Sequence, residues 1–194
     1  MSAITSTTIL RSVLFPCLAL LLLAGCATTP RGLPPIDTVD QLDVDRFQGQ
    51  WYVIANIPYF AERGNVASRV IYRERSDGRM DDLYYYRKAF DEEEKSMEGL
   101  AWIPDPARPG ELKTRFFWPF TFDYLVIKLD PDYRYLAVAH PSRRYAWIMA
   151  REPEIPDEVF QDYLAAFSQQ GYDASRILKV PQKPDQLGQP GFQG

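Results

Sequence analysis

Eight short runs of β-prone residues, each ended by a turn signal, occupy the middle of this chain. The turns are rich in Pro, Gly and Asp, and Asp77-Gly78 is a strong hairpin signal. Strands at this spacing, joined by short turns, predict an antiparallel barrel or sandwich. An up-and-down barrel also removes exposed strand edges by closing on itself. The predicted strands cover residues 51–57, 67–75, 80–90, 96–103, 111–118, 122–129, 133–140 and 145–151.

The first run begins with a tryptophan that follows a glycine. Gly49 permits a tight chain entry because it has no Cβ. A strand that starts this way can close the bottom of a small barrel, with Trp51 as the plug. The alternative is that Trp51 is an ordinary core tryptophan. Alternation along the strand places Val53, Ala55 and Ile57 on the same face as Trp51.

The hydrophobic period changes after the last predicted strand. Pro156 and two acidic residues mark a helix start, and Gly171 marks its end. We expect this helix to pack outside the barrel, followed by a short closing strand at 177–180. Residues 182–194 are rich in Gln, Pro and Gly and predict a loose tail. The apolar residues at helical spacing are Val159, Phe160, Tyr163, Leu164 and Phe167.

The amino-terminal end has the features of a bacterial lipoprotein signal. The apolar run at 13–23 is too short to span a bilayer, which predicts a signal peptide over residues 1–25. It ends in Leu23-Ala24-Gly25-Cys26, which resembles the lipobox, where a cysteine thiol accepts a diacylglycerol. An ordinary secretory signal with a chance cysteine is the alternative. Residues 26–40 then form the lipidated cysteine and a flexible tether.

The lipobox resemblance implies a membrane location. Mature lipoproteins begin at the cysteine and carry three acyl chains such as palmitate, which together anchor a protein durably. The residue after Cys26 is Ala27, not the aspartate that often retains lipoproteins in the inner membrane. The resemblance therefore implies a lipid anchor at the periplasmic face of the outer membrane.

Composition argues against several other classes of function. The chain has 22 Lys and Arg against 26 Asp and Glu and no basic cluster, so nucleic acid is not an expected partner. The only cysteines are Cys17 and Cys26, so the folded part has no disulfide and no cysteine-based metal site. The single histidine, His140, stands at a predicted strand end, and no nucleophile motif or convincing carboxylate pair is present. We expect no cofactor, no metal and no catalysis.

Three motifs resemble those of the lipocalin family, in particular its bacterial outer-membrane (Blc-type) branch. Gly49-x-Trp51-Tyr52 matches the first motif, Asp130-Pro-Asp132-Tyr133 the second, and Arg151 the third. The resemblance covers the predicted domain at 41–181. It implies an all-β fold: an eight-stranded antiparallel up-and-down barrel with one carboxy-terminal α-helix packed outside. It also implies that Arg151 packs over Trp51 at the barrel bottom.

The family resemblance implies a non-catalytic carrier. The expected ligands are fatty acids or lysophospholipids, which the protein stores, scavenges or transports at the outer membrane.

Trp118 and Phe122 stand where glycines are usual in the branch, and their bulk would narrow the pocket. A barrel filled by its own side chains and acting through its surface is therefore the alternative, ahead of a lipid-modifying enzyme. Whether the barrel forms a homodimer stays open. The candidate pocket residues are Val53, Ala55, Ile57, Tyr84, Tyr86, Phe116, Trp118, Tyr124 and Trp147.

Overall fold

The computed structural model describes residues 32–193. The signal peptide at 1–25 and the proposed lipid attachment site, Cys26, lie outside the described residues. Within the described part, no helix has the length and apolar character needed to cross a membrane. The elements are α1 (Val44–Phe47), β1 (Gly49–Ile57), β2 (Val66–Glu74), β3 (Met80–Arg87), β4 (Lys95–Trp102), β5 (Glu111–Phe117), β6 (Phe120–Leu129), β7 (Tyr135–Ala139), β8 (Ala146–Ala150), α2 (Asp157–Gln169) and β9 (Leu178–Lys179).

Strands β1 to β8 form a closed antiparallel barrel. Each strand pairs with its neighbour in sequence, and β1 pairs with both β2 and β8, which closes the cylinder. The up-and-down barrel expected from the turn signals is thus confirmed, with strand bounds within three residues of those predicted. The strand predicted at 177–180 is the two-residue β9. It lies antiparallel to the end of β1 and pairs there with Ala55 and Asn56.

The bottom of the barrel is closed by stacked aromatic rings and one arginine. Trp51 is fully buried, and its Nε1 donates to the Phe47 carbonyl oxygen at 2.8 Å. The Arg151 guanidinium lies 3.8 Å from the Trp51 ring centroid and donates to backbone carbonyl oxygens, including those of Gln50 (2.8 Å) and Arg46 (2.7 Å). This is the arrangement that the family resemblance implies.

Strand β1 contains a bulge that changes which residues face inward. Opposite β8, Val53 pairs with Met149 but Ala55 pairs with Ile148, so Ile54 is an extra residue. Ala55 and Ile57 therefore belong to the outer core between the barrel and α2, while Val53 belongs to the inner core. The expected inward placement of Ala55 and Ile57 is wrong, because the bulge breaks the alternation that predicted it.

Helix α2 covers the outside of the barrel, as the helical spacing predicts. Phe160, Tyr163 and Phe167 are buried in the outer core. Tyr172 follows the helix and fixes the connection between β7 and β8, because its hydroxyl accepts from the His140 N–H at 2.7 Å and lies 2.9 Å from the Tyr145 carbonyl oxygen. The helix thus holds one of the loops at the open end of the barrel.

Segments expected to be loose on both sides of the barrel are in fact packed against it. In the predicted tether, Arg143 Nη2 donates to the Pro34 carbonyl oxygen at 2.6 Å, and the Val39 N–H donates to the Val126 carbonyl at 2.9 Å. In the predicted loose tail, Gln182 Nε2 donates to the Val53 carbonyl oxygen at 2.8 Å. All of these elements lie within residues 32–193, and we expect a chain that begins at residue 27 to keep this fold.

Candidate functional site: the barrel cavity

The barrel encloses a cavity that opens at the end opposite Trp51. Loop residues Tyr59, Glu62, His140 and Tyr145 surround the opening, and inward residues of the strands line the cavity below. Its volume is about 100 Å³. A cavity this small suits a single alkyl chain better than a bulky ring system. The strand residues deep in it include Val53, Val70, Tyr72, Asp82, Tyr124 and Met149.

The structure brings together five of the nine residues predicted to line the pocket. Val53, Tyr84, Phe116, Tyr124 and Trp147 all border the cavity. Contact of these residues with a ligand stays a prediction.

The other four candidates lie elsewhere. Tyr86 stacks on Tyr84 with ring centroids 5.3 Å apart but does not border the cavity, and Ala55 and Ile57 face α2. Trp118 is 82% exposed at the tip of the hairpin between β5 and β6, so its predicted place in the pocket is wrong. Phe122, the second bulky residue expected at the mouth, does border the cavity.

Exposed aromatic side chains surround the opening on its outer side. We call Phe60, Phe117, Trp118 and Phe120 the aromatic rim; they are between 56% and 82% exposed. Phe60 follows β1, and the other three lie on the hairpin that joins β5 to β6. Just inside the rim, the Tyr59 ring packs edge-on against Phe122, with centroids 5.2 Å apart.

The hydroxyl groups of three tyrosines in the cavity already form hydrogen bonds with other side chains. Tyr72 donates to the Tyr124 hydroxyl oxygen at 2.9 Å, and the Tyr124 hydroxyl points to Met149 Sδ at 3.8 Å. The Tyr84 hydroxyl accepts from Asn65 Nδ2 at 3.0 Å. These side chains therefore shape the walls and leave little hydrogen-bonding capacity for a ligand.

Three carboxyl groups that the sequence did not indicate border the cavity, Glu62, Asp82 and Asp123, and the first two are the more buried in character. Glu62 accepts from Trp147 Nε1 at 2.9 Å and from the Tyr59 N–H at 2.8 Å. Asp82 is 2% exposed, borders the cavity, and has no hydrogen-bond partner among the residues that the structure describes. Its position could have been found by alternation, since Asp82 shares the inward face of β3 with Met80 and Tyr84.

Burial changes the acidity of Glu62 and Asp82. Removal from water raises the pKa of Glu62 to about 7, against the lowering effect of its two N–H donors. Burial also raises the pKa of Asp82 to about 7, and the nearby Glu62 charge adds to the rise. For His140, burial lowers the pKa. Close to neutral pH, the cavity therefore changes its charge with small changes of pH.

The arrangement of side chains around the cavity is suited to binding an apolar ligand. The cavity wall is largely apolar, and neither lysine nor arginine borders it. The His140 Nδ1 lies 2.8 Å from Ser142 Oγ within its own turn. Within residues 32–193, no group of three His, Cys, Asp or Glu could hold a metal ion.

Replacing Phe122 with glycine tests which aromatic residue narrows the mouth. Because Phe122 borders the cavity, we expect the Phe122→Gly variant to take up a fluorescent fatty acid several-fold faster than the wild type. Trp118→Gly is the matched control, since Trp118 points into solvent and its loss leaves the opening unchanged. Equal acceleration in both variants, measured by stopped-flow fluorescence, would contradict this assignment.

Sequence comparisons relate the chain to bacterial lipoproteins and plant proteins. The outer membrane lipoprotein Blc of Escherichia coli K12 is 35% identical over 169 residues, covering 84% of this chain and 92% of that relative. The Blc protein of Vibrio cholerae is 30% identical, covering 88% and 98%. Temperature-induced lipocalin-1 of Arabidopsis thaliana is 31% identical, covering 76% and 83%.

A solved structure and a family model match the chain as well, and they point to the same family as these relatives. Insecticyanin from the tobacco hornworm Manduca sexta matches the fold with a TM-score of 0.63 at 20% identity, covering 79% of this chain and 87% of that one. The family model for a lipocalin-like domain matches residues 42–182, which include the barrel, α2 and β9. The chain therefore belongs to the lipocalin family.

Proposed function

We propose that this lipocalin binds one single-chain lipid, a fatty acid or a lysophospholipid, and stores, scavenges or carries it without modifying it. The observation that supports this most is the small, largely apolar cavity, closed by Trp51 and Arg151 at one end and open at the other. Lipocalins are in general binding and transport proteins, which is consistent with a carrier.

We also propose that the protein works at the outer membrane, anchored by lipid on Cys26. The supporting observations are the lipobox sequence and the bacterial relatives, whose names describe them as outer membrane lipoproteins. The first described residues lie near the open end of the barrel, because the Pro34 carbonyl oxygen accepts a hydrogen bond from Arg143 in the loop between β7 and β8. An anchor at Cys26 would therefore hold the cavity opening close to its source of lipid.

The expected affinity is modest. Burying about twelve methylene groups contributes roughly 10 kcal/mol before the costs of binding. Lost motion of ligand and side chains removes a large part of this. Since a micromolar dissociation constant requires about 8 kcal/mol, we expect micromolar or weaker binding.

The test is native mass spectrometry with lipid extraction on a chain that begins at residue 27, purified from a bacterial host. We expect a co-purifying single-chain lipid at close to one per protein. A variant that fills the cavity, Val70→Phe, should lose the lipid because Val70 borders the cavity. Leu187→Phe is the matched control, since Leu187 is exposed on the carboxy-terminal segment.

A barrel that carries no co-purifying lipid and does not bind added lipids would contradict the carrier proposal. It would favour the second candidate, a barrel that acts through its surface. The small size of the cavity and the exposed aromatic rim are the observations in favour of that candidate. The same mass spectra report whether the protein is a monomer or a homodimer.

A further inference from the structure

Asp82 is the most unusual group in the cavity. It lies opposite Tyr72 in the pairing of β2 with β3, is 2% exposed, and forms no hydrogen bond with the described residues. Every fully buried side-chain oxygen in the described residues has a hydrogen-bond partner, so the carboxylate oxygens of Asp82 must reach the open space of the cavity. This makes Asp82 an acceptor available to a ligand.

The neighbouring polar groups do not satisfy Asp82. Tyr72 directs its proton to Tyr124, and Tyr124 directs its own toward Met149. The Tyr84 hydroxyl is engaged by Asn65 and Ser68. The remaining titratable groups that border the cavity are Glu62, Asp123, His140, Tyr59 and Tyr145, which lie nearer the opening.

Nearby cations are also committed elsewhere. Lys113 forms an ion pair with Asp123, and Lys88 Nζ donates to Asn65 Oδ1 at 2.6 Å. Neither lysine borders the cavity, and neither does any arginine. Three carboxyl groups therefore border the cavity: Asp123 is paired with Lys113, whereas Glu62 near the opening and Asp82 below it have no lysine or arginine beside them at the cavity wall.

This electrostatic arrangement discriminates between the polar ends of possible ligands. A carboxylate or phosphate inside the cavity would meet groups of its own sign, and an alcohol would gain one hydrogen bond at most. An ammonium group supplies three donors and the opposite charge, and a cavity wall that includes the aromatic rings of Trp147 and Tyr124 favours a cation as well.

We propose that the cavity selects single-chain amphiphiles whose polar end is a cationic amine, with Asp82 accepting from the ammonium group and Glu62 adding to the negative field. This rests on the proposed lipid-binding function and narrows its ligand class. It disfavours free fatty acids and favours lipids that carry an amino group.

The experiment compares three probes with the same alkyl chain: dodecylamine, dodecanoic acid and dodecanol. Binding to the chain that begins at residue 27 is measured at about pH 8 by tryptophan fluorescence, with Trp147 as the reporter at the cavity wall. At this pH the amine is charged and the acid is ionised. We expect the amine to bind at least about tenfold more tightly than the acid.

Two variants identify the group responsible. Asp82→Asn should remove most of the preference for dodecylamine over dodecanoic acid. Asp81→Asn makes the same change of charge on the neighbouring residue, where the carboxylate pairs with Arg75 Nη1 at 2.7 Å on the barrel exterior, and it should keep the preference.

Each outcome is decisive. Equal or tighter binding of the acid in the wild type, or a preference for the amine that survives in Asp82→Asn, would overturn the amine proposal. Failure of all three probes to bind, dodecanol included, would instead contradict the proposed lipid-binding function. Thermal unfolding of each variant shows that the comparison is made between folded proteins.

Discussion

Replacement of Asp82 with asparagine is expected to raise the free energy of unfolding at about pH 8 by roughly 2–4 kcal/mol. The upper figure follows from the pKa of Asp82, which burial raises from 3.8 to about 7. Above that pKa the folded protein must hold an ionised carboxylate inside the cavity, whereas the unfolded chain exposes it to water. Asparagine removes this charge at nearly the same volume.

The effect should depend on pH in a defined direction. Between about pH 4 and pH 7 the folded protein keeps the proton that the unfolded chain releases, so this group lowers wild-type stability as pH rises. Below about pH 4 it contributes no difference, and above about pH 7 the penalty is constant. The Glu62 charge also raises the pKa of Asp82, so the difference between wild type and variant reports the Asp82 charge together with its coupling to Glu62.

Urea unfolding at about pH 4 and pH 8 measures this difference directly. Asp81→Asn is again the control, because Asp81 lies on the outer face of the same strand and pairs with Arg75. Its effect should stay below about 1 kcal/mol at both pH values. An Asp82→Asn protein no more stable than the wild type at pH 8 would show that the carboxylate is well solvated inside the barrel.

Replacement of Trp51 with alanine is expected to lower the free energy of unfolding by about 3–5 kcal/mol. The ring is fully buried, its Nε1 donates to the Phe47 carbonyl, and the Arg151 guanidinium rests on its face. Truncation would leave a large cavity at the closed end and remove the surface on which Arg151 packs. Chemical denaturation of the variant measures the loss.

Trp102→Ala is the matched control for Trp51. Trp102 lies at the end of β4 and is only partly buried, with Arg115 5.6 Å from its ring centroid. Its removal should cost clearly less than that of Trp51, since partial exposure reduces both the transfer and the cavity contributions. Equal losses from the two variants would mean that the closed end is not the principal stabilising cluster.

The barrel was predictable because most of its strands have distinguishable faces. In β2, buried and less buried residues alternate from Val66 to Tyr72, which follows the period of a strand packed on one side. In β1, by contrast, five consecutive residues from Val53 to Ile57 are buried, because the cavity lies on one side and α2 on the other. Because Ile54 is apolar like its neighbours, the sequence does not reveal that it is an extra residue in the strand. The change of face at Ala55 and Ile57, from the cavity to the side of α2, therefore could not be predicted.

Other features of the site fell outside what residue type alone can indicate. Aromatic character marked Trp118 as a pocket residue, but its place at a hairpin tip before Pro119 carries it into solvent. Asp82 was overlooked because charged residues are seldom buried without a partner. The composition of the tail from Gln182 predicts a loose segment, yet the Gln182 side chain donates to the barrel carbonyls of Val53 and Ser68.

The position of Pro34 beside the open end has a consequence for how lipid would reach the barrel. Pro34 follows Cys26 by eight positions, and a fully extended chain of that length spans at most about 29 Å. With Cys26 lipidated as proposed, Pro34 and the loop that it contacts at the open end cannot move farther than this from the point of attachment. Uptake is then governed by the effective concentration that the tether imposes and not by lipid free in solution. Lengthening this segment would dilute the ligand without altering any residue of the cavity.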